Sequence, residues 1–438
     1  MFTFRKSVKS TLAVIAGVSV LALSGCSTSA GDNASQSANN GDGLSGSITF
    51  TATFPEEAVQ PAIDAFNEEY PDAEVRYEVL PFKDLNDVIQ TRIGSGDSSP
   101  DVYGADQPRI PNLVDSGLLT DISDDFTDAK EIFDPVTVEA STVDDKLYAA
   151  PVNTSSVVLY YNKELLDKAG LEYPGKSHED RMTWEELRDD AKAAQEAGAK
   201  WGFQFFRISQ IFQMQALPES LGGGNGMNTA VEPHEADVAN EPWVKSMQFM
   251  QDLHEDGISP RGVTPEQTPE MFAAGEIAYF LGTTAHHDNW ANDLDFEYGI
   301  APHPYFEGGE VMTPTGAWSL GLNPNSENAE LAKAFLRFVT ATPEGSGAWA
   351  DGVGNIPANM ATRKKYFEDP LYSDDPEYST ADLVNYELDN TARNRARTPY
   401  FIEFETVMGN TFEDIRNGAP VKEALESAES SMRGARGR

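Results

Sequence analysis

One cysteine stands among 438 residues, at position 26, and its surroundings decide how the rest of the chain can hold itself together. Arg5, Lys6 and Lys9 precede an apolar run from Leu12 to Leu23, and the small residues Ser24 and Gly25 lead into Cys26. A basic start, a short apolar centre and small residues before a cut are the marks of a secretory signal. The run is about 12 residues, too short to cross roughly 30 Å of hydrocarbon as a helix. Residues 1–25 therefore read as a signal peptide and the remainder as exported. Exported chains commonly brace themselves with disulfides. This one has a single thiol and can form none internally. Its stability must come from buried apolar surface, and about 390 globular residues are enough for two or three domains.

Charge narrows the partners. The chain carries 32 Lys and Arg against 71 Asp and Glu, a net charge of −39. Such a surface repels nucleic acid and anionic lipid and favours solubility. Residues 26–45 contain one large apolar side chain, Leu44, and cannot bury enough surface to order themselves, so they read as a tether. Beyond it the pattern alternates. Ser47–Thr53 reads as a strand, the following helix stops at Pro71, Glu74–Val79 is a strand, Asp84–Ile93 a helix, and Val102 lies in a strand. This alternation continues through most of the chain and predicts α/β layers with largely parallel sheets. Thr183-Trp184-Glu185-Glu186 has the form of a capping box, with Gly198 placed to close that helix. Leu331, Ala334, Phe335 and Phe338 share one helical face.

Several chemistries are disfavoured. Asp121–Ile132 is acidic but has Phe126 at the turn position and Ile132 at the last position of a calcium loop. His286 and His287 are adjacent, and neighbours on a strand face opposite ways. No His-x-x-x-His or Glu-x-x-His pair is present, so no metal or other cofactor is expected. Gly222–Gly226 lacks the Lys-Ser/Thr end of a phosphate loop and reads as a flexible insertion.

Several segments follow one another in an order that resembles a known family. They are Gly94-Ser95-Gly96 with Pro100-Asp101-Val102, Gly117-Leu118-Leu119, Lys146-Leu147-Tyr148-Ala149-Ala150-Pro151, Tyr161-Asn162-Lys163-Glu164-Leu165, Thr183-Trp184-Glu185-Glu186-Leu187, Phe272-Ala273-Ala274-Gly275-Glu276 and Glu330–Leu336. Together they resemble the extracellular solute-binding proteins of ABC importers, of the oligosaccharide type, and Leu23-Ser24-Gly25-Cys26 resembles the lipobox of bacterial lipoproteins. The resemblance covers nearly the whole chain after the signal. It implies a two-lobed periplasmic-binding-protein-like fold (type II) with the ligand cleft between lobes. Residues 46–153 and 319–366 would form one lobe, 158–316 and 367–438 the other, with crossings near 154–157, 316–318 and 366. It also implies lipidation at Cys26, anchoring to the outer face of a Gram-positive cell membrane, a permease as partner, and a monomer that is not an enzyme. A glycoside hydrolase, and a binding protein for a peptide or polyol derivative, are the competing classes; the many acids leave a catalytic carboxylate pair open.

A sugar offers apolar C–H faces and hydroxyls that need two-ended polar partners. In open α/β sheets ligands lie beyond the carboxyl ends of strands. The candidates are therefore aromatic and polar residues that follow strands. Phe54 follows the first. Tyr103, Asp106 and Gln107 follow Asp101-Val102, where the family supplies a ring and a carboxylate; Asp106 aligns with the carboxylate, and Gly104 stands where the ring often is. Asp106 has a helix N-cap as its other role. Asn153 lies in the first crossing as a contact or a strand-end cap, and a family carboxylate aligns with Ser155. Phe205-Phe206-Arg207 ends another strand, where Phe206 and Arg207 can face opposite ways, and Arg207 can make a two-pronged hydrogen bond. Thr284 stands at a family tryptophan position, with His287 and Trp290 as replacements. Trp318, in a crossing, stacks on a sugar or belongs to the core. Asn355 falls in a loop that the family places near its cleft.

Overall fold

Val157, Leu159 and Tyr161 enter one core while Val158 and Tyr160 enter another. Successive strand side chains point to opposite faces, so a strand apolar from Val157 to Tyr161 must be covered on both sides. That strand, Val157–Asn162, is central in a four-stranded sheet ordered Tyr298–Ala301, Val157–Asn162, Ile277–Thr283, Trp201–Phe205. A five-stranded sheet runs Ala73–Val79, Gly46–Ala52, Val102–Asp106, Trp318–Leu322, Ala149–Pro151. The computed structural model describes residues 43–291 and 293–435. The signal peptide, Cys26 and the tether up to residue 42 lie outside the described residues.

Each sheet is the centre of one lobe. The first packs against helices Glu56–Glu69, Ala329–Ala341 and Pro343–Val353, through Phe66, Phe335 and Trp349 among others. The second packs against Trp184–Glu196, Glu241–Glu255, Phe401–Arg416 and Val421–Ala435. The Thr183–Glu186 capping box forms as read, with both reciprocal bonds.

The expectation of largely parallel sheets is corrected. Trp318–Leu322 is antiparallel to both its neighbours, and so is Val157–Asn162. Both strands enter their sheet directly from an interlobe crossing. They start at the cleft and run away from it, whereas Val102–Asp106 and Ile277–Thr283 run toward it. The register shows this, with Trp318 opposite Asp106 and Val157 opposite Thr283.

The crossings themselves form a ribbon. Ile356 pairs with Thr154, Ser156 bridges to Thr315, and Thr313 pairs with Ala392. The Ser155 hydroxyl, at the family carboxylate position, donates to the Gly316 carbonyl at 2.7 Å. Two further readings change. Gly222–Gly226 is packed: the Trp243 indole donates to the Gly223 carbonyl, and a Cβ on Gly226 would lie 2.7 Å from the Phe404 ring. His286 and His287 lie on a short helix, Ala285–Trp290, with Thr284 at its N-cap position.

Candidate functional site

The strand ends and crossings from both lobes border one cleft of about 520 Å³. The first lobe contributes Thr53, Phe82 and Asp106, and the crossings contribute Asn153, Thr154, Ser155, Gly316, Ala317 and Trp318. The second lobe brings Phe206, Arg207, Gln210, Phe212 and Glu266; Asn355 and Arg395 complete the wall. Of the residues read from sequence, Asp106, Asn153, Arg207, Trp318 and Asn355 line this cleft.

Asp106 is 7% exposed and held by cations. Arg395 grips it with both nitrogens, Nη2 to Oδ1 at 2.8 Å and Nη1 to Oδ2 at 3.3 Å. Arg109 stands 3.7 Å away and pairs with Glu405 at 2.7 Å. The Asp106 side chain caps no backbone N–H of the turn Gln107–Arg109, so the N-cap role falls away. Asn153 Oδ1 accepts from the Trp318 backbone N–H at 2.8 Å, which fixes the start of that strand. Trp318 is half-buried. Its ring makes edge contacts with Phe54 at 5.7 Å and Phe82 at 5.9 Å. It also covers Gly104: a Cβ there would lie 3.6 Å from the Trp318 ring. A ring from the paired strand thus lies over position 104.

Six candidates are corrected. Tyr103 is fully buried, with its hydroxyl donating to the Leu118 carbonyl at 2.8 Å, and burial pushes that phenol up. Gln107 is 3% exposed and gives its amide to the Ser319 hydroxyl, outside the cleft lining. Thr284 is 2% exposed, while its neighbours Thr283 and Ala285 reach the cleft. His287 donates from Nε2 to the Leu371 carbonyl at 2.9 Å and accepts at Nδ1 from the Tyr298 hydroxyl at 2.8 Å; burial lowers its pKa. Trp290 stacks on Phe272 with centroids 4.9 Å apart, inside the core. Phe54 is half-buried between Trp318 and Trp349 and supports the cleft ring from outside the lining.

The candidates omitted Arg395 and three aromatic rings of the wall, Phe82, Phe206 and Phe212. Phe82 opens the helix Phe82–Gly94 and is 42% exposed, with Arg109 stacked over its ring at 4.7 Å. Phe206 lies under the Arg207 guanidinium at 4.2 Å. Phe212 and Phe401 flank Arg395, at 5.5 and 5.9 Å. Phe82 and Phe206 had a sequence signal, each a large apolar residue just after a strand.

The carboxyl groups that burial pushes upward, Glu219 to about 7, Asp288 to about 6, and Asp134 and Asp190, are absent from the cleft wall. Among the described residues no group of three His, Cys, Asp or Glu side chains is placed to hold a metal ion.

Residues 51–345 match the family described as bacterial extracellular solute-binding protein. The galactooligosaccharide-binding protein of Bacillus subtilis is 25% identical over 386 residues, 86% of each chain. The sn-glycerol-3-phosphate-binding periplasmic protein of Pectobacterium atrosepticum is 25% identical over 338 residues, 72% of this chain and 69% of that one. In fold, an ABC substrate-binding protein of Listeria monocytogenes, solved in complex with cycloalternan, superimposes with a TM-score of 0.77 at 22% identity, over 89% of this chain and 99% of that one.

Proposed function

Because the chain belongs to the bacterial extracellular solute-binding protein family, we propose that it captures an oligosaccharide between its lobes and delivers it to the permease of an ABC importer. The observation that carries this reading is the meeting, in one cleft, of aromatic rings with planar polar groups from both lobes. Phe82 and Trp318 stand on one side, Phe206 and Phe212 on the other. Rings of this kind pack on sugar C–H faces, and Asp106, Asn153, Asn355, Arg207 and Arg395 are two-ended partners for hydroxyls. The galactooligosaccharide-binding relative supports it.

Binding rather than hydrolysis is the better fit. Glycoside hydrolysis needs a carboxylic acid kept protonated beside the scissile bond. Here the carboxyls raised by burial lie elsewhere, and Asp106 is engaged by Arg395. Closure of two lobes about a hinge ribbon is the mode of binding proposed.

In this reading Cys26 carries the lipid anchor, residues 26–45 tether the monomer to the outer face of the membrane, and no cofactor takes part. Two acyl chains suffice for stable anchoring. The Cys26→Ala protein should leave the membrane fraction or remain unprocessed.

Calorimetry with graded galacto- and malto-oligosaccharides tests the central claim. The bound sugar should raise stability by about 2.7 kcal/mol at roughly 100 times Kd and shrink the radius seen by scattering. New reducing ends after incubation, or no binding across sugar classes, would refute it.

A further inference from the structure

Four charged side chains line the cleft among the described residues: Asp106, Arg207, Glu266 and Arg395. Asp106 and Arg395 neutralise each other in a two-pronged pair. Arg207 has no such partner. Its Nη1 lies 3.7 Å from Glu266 Oε1, beyond hydrogen-bond length, and the Glu266 side chain is 74% exposed, where water weakens the attraction.

The position of Arg207 is nevertheless well fixed. Its backbone N–H donates to Gln213 Oε1, and Gln213 Nε2 in turn donates to the Leu281 carbonyl at 2.8 Å. The guanidinium lies over Phe206 at 4.2 Å, and Phe206 meets His286 edge-on at 4.4 Å. With its face toward a ring centre rather than toward an acid, the guanidinium keeps N–H donors free for a carboxylate, which its planar fork fits. Burial lowers the pKa of this arginine, and Glu266 offsets only part of that effect. A cation held in this way gains from an anion that arrives with the solute.

We propose that the solute is an acidic oligosaccharide, an oligouronate, whose ring carboxylate is taken by Arg207 in a two-pronged hydrogen bond. This rests on the reading of the cleft as a sugar site. A phosphate ester fits less well. A dianion calls for a second unpaired cation, and Arg395 is occupied by Asp106. The net charge of −39 repels anions at a distance, so selection for one must act at contact, through a cation inside the cleft.

Titration calorimetry on the full-length protein tests this with oligomers of galacturonate, glucuronate and mannuronate, their methyl esters, and neutral galacto- and malto-oligosaccharides. Esterification removes the charge and keeps the ring. One acid series should bind roughly 10- to 100-fold more tightly than its ester, the range of a charged hydrogen-bonded contact. Arg207→Gln should erase that preference, and Arg207→Lys should restore part of it, since it keeps the charge without the fork. Equal binding of acid and ester, or preference for the neutral series, overturns the inference and leaves the sugar reading standing. Binding of neither class overturns the sugar reading, and this inference with it. Should Arg207→Gln fail to fold, the acid-to-ester ratio of the parent decides alone.

Discussion

Removing either partner of the Asp106–Arg395 pair should destabilise the protein unequally, and the structure sets the order. Both side chains are about nine-tenths buried, at 7% and 10% exposure. Orphaning a charge in such a place costs about 3–5 kcal/mol. Asp106→Asn orphans Arg395, because Arg109 keeps Glu405. The rings of Phe212 and Phe401 return about 0.5–1 kcal/mol to the stranded guanidinium, and its place on the cleft wall lets water reach it. The expected cost is at the lower end, about 3 kcal/mol. Arg395→Met instead orphans Asp106, which has Arg109 only 3.7 Å away as a substitute. That loss should be about 1–2 kcal/mol, the scale of one charged hydrogen bond. In the double variant no unpaired charge remains, so its cost should fall below the sum of the singles by at least ~1 kcal/mol. Urea unfolding of the ligand-free protein measures all four corners of the cycle, provided the slopes agree. Additive single costs, or a dearer Arg395→Met, would refute the reasoning.

Trp318→Ala should weaken binding of the cognate sugar roughly 10- to 100-fold. It should also lower the melting temperature modestly, since the ring touches Phe54 and Phe82; unchanged affinity would remove Trp318 from the site. Burial raises the Asp288 carboxyl to about 6 from an ordinary 3.8, although Tyr366 and Tyr372 both donate to it. The folded protein therefore binds more protons than the unfolded chain between those values, and this group costs stability above pH 6, a cost relieved as pH falls toward 4. Asp288→Asn should raise unfolding stability at pH 7.5 by at most about 3 kcal/mol and little at pH 4; an equal change at both pH values would exclude the assignment. Gly226→Ala places a Cβ 2.7 Å from Phe404 at a φ of +85°, and should cost about 1–3 kcal/mol by denaturation, where a loose loop would show no change.

The parts of the molecule that could be read in advance are those with local causes. The Thr183–Glu186 cap requires only residues three apart, and it forms. Strand ends also carry local signals, and Asp106, Asn153, Arg207, Trp318 and Asn355 reach the cleft. The failures are of a different kind. Tyr103 and Asp106 are three residues apart on one strand and must face opposite ways. Once Asp106 was placed in the cleft, the same periodicity sent Tyr103 into the sheet's other layer, an inference the sequence already permitted. Arg395 offered no such route. It lies 289 residues from Asp106, and nothing in either neighbourhood calls for the other; only the strap after Ala392–Arg393, laid beside the crossing Thr313–Pro314, brings them together. Phe206 shows the intermediate case. Its place after the strand Trp201–Phe205 was legible, but adjacency suggested that it and Arg207 face apart. That rule holds within a regular strand, and the strand ends at Phe205. In the turn that follows, the chain folds the guanidinium back over the ring. Specificity in such a cleft is therefore written where regular structure stops, which is where periodicity no longer says which way a side chain turns.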